Sequence, residues 1–445
     1  MKIPKNILSG HVCVHFFIDF STIYIYNEAM ENLNKEPFVV SQDDLDDACD
    51  FVTDFCNELE SHQGRLTGTA EETATARLIR DRLHSETSAR VRLEAYKARP
   101  MAGRGCLSLL GFWFAFCLVI YFLSFVKNDI YAVIMTILSL VLFVGGGIIF
   151  LLLFIGKGGK LNNLLPKKVS YNVVSERCPS CCEASKERTI IVCTNHDAVL
   201  GNALFDLAKL RRFALVMAPI SALIFIACCI VKVVIAEHIT EIAAITTLTI
   251  IPFLSSVAGI AVLITHFSLS KKHARDRGGV ATSVALATYA YFIENPHLLP
   301  NDVRMVFASF GGENSAHGGS EAFVKAHTEF AGAKVLAISD ILDNNFAVYT
   351  GDHFLGIKHS KSVLDAVSLS AKERESALKV YDNNSLSNKF SCLHGSISNA
   401  FAKENIASAT ITTKRNDTVE GVVHRDDVAK LFALSVTAVA HLMEE

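Results

Sequence analysis

The run Arg-Thr-Ile-Ile-Val-Cys-Thr at 188–194 ends in Asn195-His196-Asp197. A short β-branched run suits a buried parallel strand. A histidine beside a carboxylate at a strand end has the makings of a metal ligand, because the carboxylate can fix the imidazole's orientation. The same pair also serves as a solvated loop, so other residues must decide. A second cluster, Cys178-Pro179-Ser180-Cys181-Cys182 with Cys193 after it, holds a Cys-x-x-Cys core suited to zinc. No second well-spaced pair accompanies it, which favours a reduced loop. Gly145-Gly146-Gly147 lies in an apolar stretch, where glycines either allow close helix approach or mark a flexible point.

The elements that must position these residues alternate. Strands are expected at 169–174, 188–194, 303–310, 333–339, 346–350 and 406–413, and helices at 280–293, 320–327 and 426–442. This alternation implies an α/β layer with a mostly parallel sheet, whose chemistry gathers at the carboxyl ends of the strands. Upstream, amphipathic helices at 43–60 and 71–84 flank the turn Gly64-Arg65-Leu66-Thr67-Gly68-Thr69, and a strand follows at 91–95.

The chain has 445 residues, 51% of them hydrophobic, with a formal net charge of −3 and a mean hydropathy of +0.33. Nothing in that charge favours nucleic acid. The apolar excess is concentrated at 107–126, 131–155, 213–236 (with Lys232 near its end, free to snorkel) and 242–269. Each is long enough to cross about 30 Å of hydrocarbon, so four transmembrane helices in two hairpins are expected. Lys and Arg flank the outer ends: Arg92, Lys97, Arg99 and Arg104 before the first span, Lys157, Lys160, Lys167 and Lys168 after the second, Lys209, Arg211 and Arg212 before the third, Lys271, Lys272, Arg275 and Arg277 after the fourth. The connecting turns carry little positive charge. An integral membrane protein of the cell membrane follows, with the soluble portions and both termini cytoplasmic. No signal peptide is expected, and the twelve scattered cysteines suit a reduced compartment.

The order of motifs resembles the di-zinc aminopeptidases of metallopeptidase family 28. The likeness runs from Arg65-Leu66-Thr67-Gly68-Thr69-Ala70-Glu71-Glu72, through IIVCTNHDAV and GGVATSVALA, to VRMVFASFGGENSAHGGSEAF and NDTVEGVVHRDDVAKL. It implies a zinc-exopeptidase-like sheet sandwiched by helices. The domain would then comprise residues 1–104, 157–212 and 270–445, interrupted by hairpins at 105–156 and 213–269.

Carried over residue by residue, the resemblance makes His196 the first metal ligand, with Asp197 its orienting neighbour. Asp276 takes the bridging position if one residue is deleted before Gly279; without that gap Arg275 falls there. Asp340 matches the later Asp ligand, and Glu313 the general base. The ligand Glu is replaced by Asn314, and the final His by Thr413. Both private ligands of the second metal are thus lost, so one zinc ion at most is expected. His273, His317, His394 and His424 lie near the motifs as spare donors. The leading expectation is a pseudo-peptidase that binds or acts as a partner subunit. The rival is a mononuclear zinc aminopeptidase or amide hydrolase; a cyclase on this fold ranks behind both. With the second hairpin between His196 and Asp276, the pocket is expected at the bilayer surface, facing a peptide or membrane-protein partner.

Overall fold

The computed structural model describes residues 38–62, 64–102, 104–125, 129–154, 164–177, 188–200, 208–234, 242–265, 274–275, 278–315, 317–352, 357–382, 396–413 and 423–444. Val40–Glu445 forms one compact unit; Met1–Val39 is a separate one. The start of the chain, the Cys178–Cys182 cluster, Asp276, His273 and His394 lie outside the described residues.

Helix α1 (Gln42–Ser61) starts from a capping box: the Ser41 hydroxyl accepts from Asp44 N, and the Asp44 carboxylate accepts from Ser41 N. Thr69 caps α2 (Ala70–Thr87), accepting from Glu72 N, and β1 (Val91–Ala98) follows. Two long helices, α3 (Arg104–Leu123) and α4 (Asp129–Phe154), precede β2 (Lys168–Arg177). β3 (Arg188–Asn195) and β4 (Val199–Leu200) lead to α5 (Ala208–Val234) and α6 (Ile242–Thr265), and β5 (Ala274–Arg275) comes next. The remainder runs α7 (Gly279–Glu294), β6 (Val303–Phe310), α8 (Gly318–Ala326), β7 (Lys334–Ile338), β8 (Phe346–Tyr349), β9 (Gly351–Asp352) and β10 (Ile357–Lys358). It ends with α9 (Lys361–Glu373), β11 (Lys379–Tyr381), α10 (Ser398–Lys403), β12 (Ala407–Thr413) and α11 (Arg425–Glu444).

Eight strands form one sheet in the order β1-β2-β6-β3-β7-β12-β8-β11. It is mixed rather than mostly parallel. The ladders β6–β3, β3–β7, β7–β12 and β8–β11 are parallel; β1–β2, β2–β6 and β12–β8 are antiparallel. The edge departs from the expectation because α3 and α4 return the chain to the end it left, and such a return delivers an antiparallel neighbour. The second helical pair does the same, with β4 and β5 pairing antiparallel at its neck. By these strand directions, the carboxyl ends of β1, β3 and β6 point the same way. Both helical pairs therefore leave the sheet at the end that carries Asn195-His196-Asp197.

Side chains alternate across the sheet. Val306, Ala308 and Phe310 of β6 join Ile191 and Cys193 of β3 in a core with Phe323 of α8 and Phe401 of α10. On the opposite face Phe307 meets Tyr289 of α7, ring centroids 5.7 Å apart. α7 is buried nearly all round, packed among the sheet, α1, α2 and α11.

The helices α3–α6 form a closed bundle in which α4 touches α3 and α5, and α6 touches α3 and α5. Tyr121 donates to Leu248 O (2.9 Å), Ser139 Oγ to Cys117 O (2.7 Å) and Trp113 Nε1 to Leu142 O (3.0 Å). Of the three adjacent glycines, Gly146 is the point of close approach. A Cβ there would lie 2.8 Å from Trp113 and 2.9 Å from Phe114, whereas Gly145 and Gly147 face open space. Lys232 does not snorkel outward. It is buried, donates to Ser124 Oγ, and sits 3.1 Å from the Phe125 ring centroid. Among the described residues, one stretch, Ile130–Leu152 of α4, is by itself long and apolar enough to cross a membrane; the apolar stretches Leu109–Leu123 and Ile220–Val234 are shorter. Where four such spans were expected, one meets the criterion. Nonetheless, every exposed large apolar side chain among the described residues lies on α3–α6, except Val39, Leu164, Val169 and Val380.

Candidate functional site

The loop after β6, Gly311-Gly312-Glu313-Asn314, meets the turn before α2 and the end of β3 in a buried polar network. Glu72 is its hub. One carboxylate oxygen accepts from Ser170 Oγ (2.8 Å) and Gly312 N (2.8 Å), the other from Gly68 N (2.5 Å). Burial pushes the Glu72 carboxyl up to about 7, against the pull of those donors. Tyr96 Oη donates to Gly311 O at 2.7 Å, and burial raises its phenol well above the usual range. Gly312 has φ +57°, and a Cβ there would collide with Tyr96 and Thr67, so this turn requires glycine.

His196 and Asp197 diverge from the strand end. His196 is buried; its N–H donates to Phe310 O (3.0 Å), its Nδ1 lies 2.9 Å from Ser309 Oγ, and its carbonyl accepts from Arg65 Nε (3.1 Å). Burial, with the Arg65 charge nearby, lowers the imidazole to about 3, so it is neutral. Its Nε2 is buried without a hydrogen-bond partner among the described residues. The Asp197 carboxylate does not orient that ring. It accepts from Asn314 N at 2.8 Å, with Thr67 Oγ1 and Asn195 Nδ2 each at 3.5 Å. The Asn314 amide meanwhile donates to Asp197 O (3.0 Å). Burial and then the nearby Glu72 raise the Asp197 carboxyl well above the ordinary range; Glu313 adds to this, and the Asn314 and Asn195 donors oppose it.

Glu313 is held on both oxygens. Ser320 N and Ser320 Oγ donate to it (3.1 and 2.9 Å), and His317 Nδ1 lies 2.6 Å away. Because Ser320 is in the first turn of α8, the carboxylate acts as a cap on that helix. His317 reaches it from a left-handed backbone, φ 57°. Asp340, also left-handed at φ 52°, accepts through its carbonyl from Thr413 Oγ1 (2.9 Å), and Thr413 Oγ1 in turn accepts from Leu342 N (3.2 Å). His424 lies apart from this network, its N–H donating to Asp427 at the start of α11.

Among the described residues no three His, Cys, Asp or Glu side chains converge closely enough to hold an ion. Asn314 turns N–H donors inward toward Asp197, and the Thr413 hydroxyl ties the 340–342 loop. Among the described residues, His196 Nε2 is the one buried ring nitrogen without a hydrogen-bond partner.

Arg65, Thr67 and Glu72 lie in the quoted run 65–72, and Ser309 and Ser320 in the quoted run 303–323, but the sequence assigned none of them a role in the network; Tyr96 carried no signal. Glu72 also shows the Thr-x-x-Glu spacing of a helix start. A second buried polar group was also not foreseen. Asp352 Oδ2 accepts from His359 Nε2 (2.9 Å), Ser396 N (2.9 Å) and Ser396 Oγ (2.5 Å), while His359 Nδ1 donates to Tyr349 O (2.7 Å).

No family model and no curated protein matches the chain. Among solved structures, similarity is found to a glutaminyl cyclase from Fimbriiglobus ruber, at 10% identity and a TM-score of 0.46, covering 92% of this chain and 98% of that one. A zinc aminopeptidase from Bacillus subtilis is similar at 10% identity and a TM-score of 0.46, covering 89% and 94%. An aminopeptidase from Aneurinibacillus sp. strain AM-1 is similar at 11% identity and a TM-score of 0.44, covering 88% and 93%.

Proposed function

We propose that this chain is a membrane-tethered protein built on the zinc-exopeptidase plan, and that its site binds a peptide or a membrane-protein partner rather than hydrolysing one. The observation that carries this reading is the use already made of Glu313, Asn314 and Thr413. At the general-base position, Glu313 is capped by Ser320 and His317. At the ligand positions, Asn314 and Thr413 act through hydrogen bonds within the protein. A base must reach the proton it removes, and a metal needs lone pairs directed at it.

The tether reading takes α3–α6 as four spans in two hairpins, with the soluble part and both termini cytoplasmic. It is supported by the exposed apolar belt on those helices and by the basic outer flanks. Since both hairpins leave from the site end of the sheet, the network would face the bilayer. In inverted vesicles the soluble domain should be digested by added protease; protection would refute this orientation.

A second reading, a mononuclear zinc hydrolase, is favoured by the unpartnered Nε2 of buried His196. Elemental analysis of the detergent-solubilised protein separates the two. Far less than one zinc per chain, with partner binding unchanged in Glu313→Gln, supports the binding protein. About one tightly held zinc per chain, lost in His196→Ala and Asp340→Ala, supports the enzyme and sinks the first reading.

A further inference from the structure

At the neck of the first hairpin, β1 and β2 present Lys97 and Val169 as cross-strand partners, followed by Ala98 and Lys168. Lys97, Lys167 and Lys168 are exposed, and none of them, nor Arg99, forms an ion pair with another described residue. Arg99 Nε is buried with no hydrogen-bond partner among the described residues. Residues 164–175 contain no acidic side chain. Within this basic edge stand Leu164, 83% exposed, and Val169, 51% exposed. They are two of the four exposed large apolar side chains that lie off the helical bundle. The neck is continuous with that bundle, because Leu165 packs with Ala102 and with Cys106 in the first turn of α3.

We infer that this neck is a docking surface for anionic phospholipid headgroups: the cations of Lys97, Arg99, Lys167 and Lys168 meet the phosphates, and Leu164 and Val169 enter the acyl boundary. The chemistry fits each part. Lysine and arginine at a negatively charged leaflet gain attraction that salt screens, and apolar side chains between them gain by burial at the interface. The surface is mechanically close to the site. A Cβ on Gly68 would lie 2.6 Å from Lys168 Cβ, and Gly68 N is one of the three donors to Glu72. A headgroup that holds Lys168 therefore steadies the turn that feeds the hub.

The inference rests on the tether reading, and one experiment tests both. The full chain is placed in lipid nanodiscs of pure phosphatidylcholine or with about one third phosphatidylserine, and lysine acetylation by a membrane-impermeant reagent is followed by mass spectrometry. Lys97, Lys167 and Lys168 should label about fivefold more slowly in the anionic discs, relative to Lys325 and Lys403 as references. The difference should vanish in about 0.5 M salt. Added inorganic phosphate should not protect them in phosphatidylcholine discs. Equal labelling in both discs overturns the inference while leaving the tether intact, and protection by free phosphate points to a soluble anion and overturns it too. A chain that does not co-migrate with the discs overturns both.

Discussion

Asn314 grips Asp197 from both sides, with its backbone N–H on the carboxylate at 2.8 Å and its side-chain amide on the carbonyl at 3.0 Å. A metal-binding carboxylate at 314 would have to give up the second bond and bring a negative charge beside a fully buried acid. The arrangement is consistent only with a neutral donor at that position.

Asn314→Glu should therefore lower stability by about 3 kcal/mol, against about 1 kcal/mol for Asn314→Ala, which keeps the backbone bond. Chemical denaturation of the detergent-solubilised protein measures both. Equal losses would mean that the side chain at 314 is indifferent to its charge.

Glu72 should give the protein an alkaline weakness. Its folded carboxyl is raised to about 7, so the native state holds a proton that the unfolded chain releases near pH 4.3. Stability from this group is therefore intact below about pH 4 and falls as pH rises to about 7, by roughly 3 kcal/mol. In Glu72→Gln that slope should disappear, at a cost of about 1 kcal/mol where Gly68 N loses its acceptor. A melting series across this range that has the same slope in the variant and the wild type would refute it.

The Asp352–His359 pair works in the opposite sense. Burial disfavours both charges, but each partner's charge and hydrogen bonds overcome it, so His359 is raised and Asp352 lowered. Asp352 stabilises above the unfolded carboxyl value of about 4, and that contribution fades as pH falls below it. His359 stabilises below about 6.5, and its contribution is lost as pH climbs through the raised folded value. His359→Ala leaves a buried carboxylate with only Ser396 and should cost about 3–5 kcal/mol. The loss should be greatest between those limits, read as the denaturation midpoint at several pH values.

Gly146→Leu should break the α3–α4 contact, because its Cβ has only the rigid Trp113 and Phe114 rings to meet. Gly145→Leu and Gly147→Leu should be tolerated. Size-exclusion profiles in mild detergent compare them; three equivalent profiles would rule out Gly146 as the approach point.

Much of the fold was legible in the sequence. The strands at 188–195 and 303–310 announce themselves as β-branched runs, and the four long apolar stretches are indeed helices. The three-residue β11 and the small-residue helix α9 were not read, because Lys379–Tyr381 is too short for any period and Lys361–Glu373 has few large apolar positions. The site was legible only in part. The resemblance drew attention to positions 313, 314 and 413, but the capture of Glu313 depends on a left-handed His317, and Asn314 meets Asp197 across more than a hundred residues. Neither leaves a local pattern.

The strand order also sets a sequence of events at the ribosome. β6 lies between β2 and β3, yet it is made only after both helical pairs have emerged. The amino-terminal half of the sheet therefore has no central partner during its own synthesis, and neither neck can be locked to the other until Val303–Phe310 slides between them. If the helical pairs enter a bilayer as proposed, that insertion should precede domain folding. A nascent chain stalled before residue 303 should remain protease-sensitive outside its helices, and early resistance there would contradict this order.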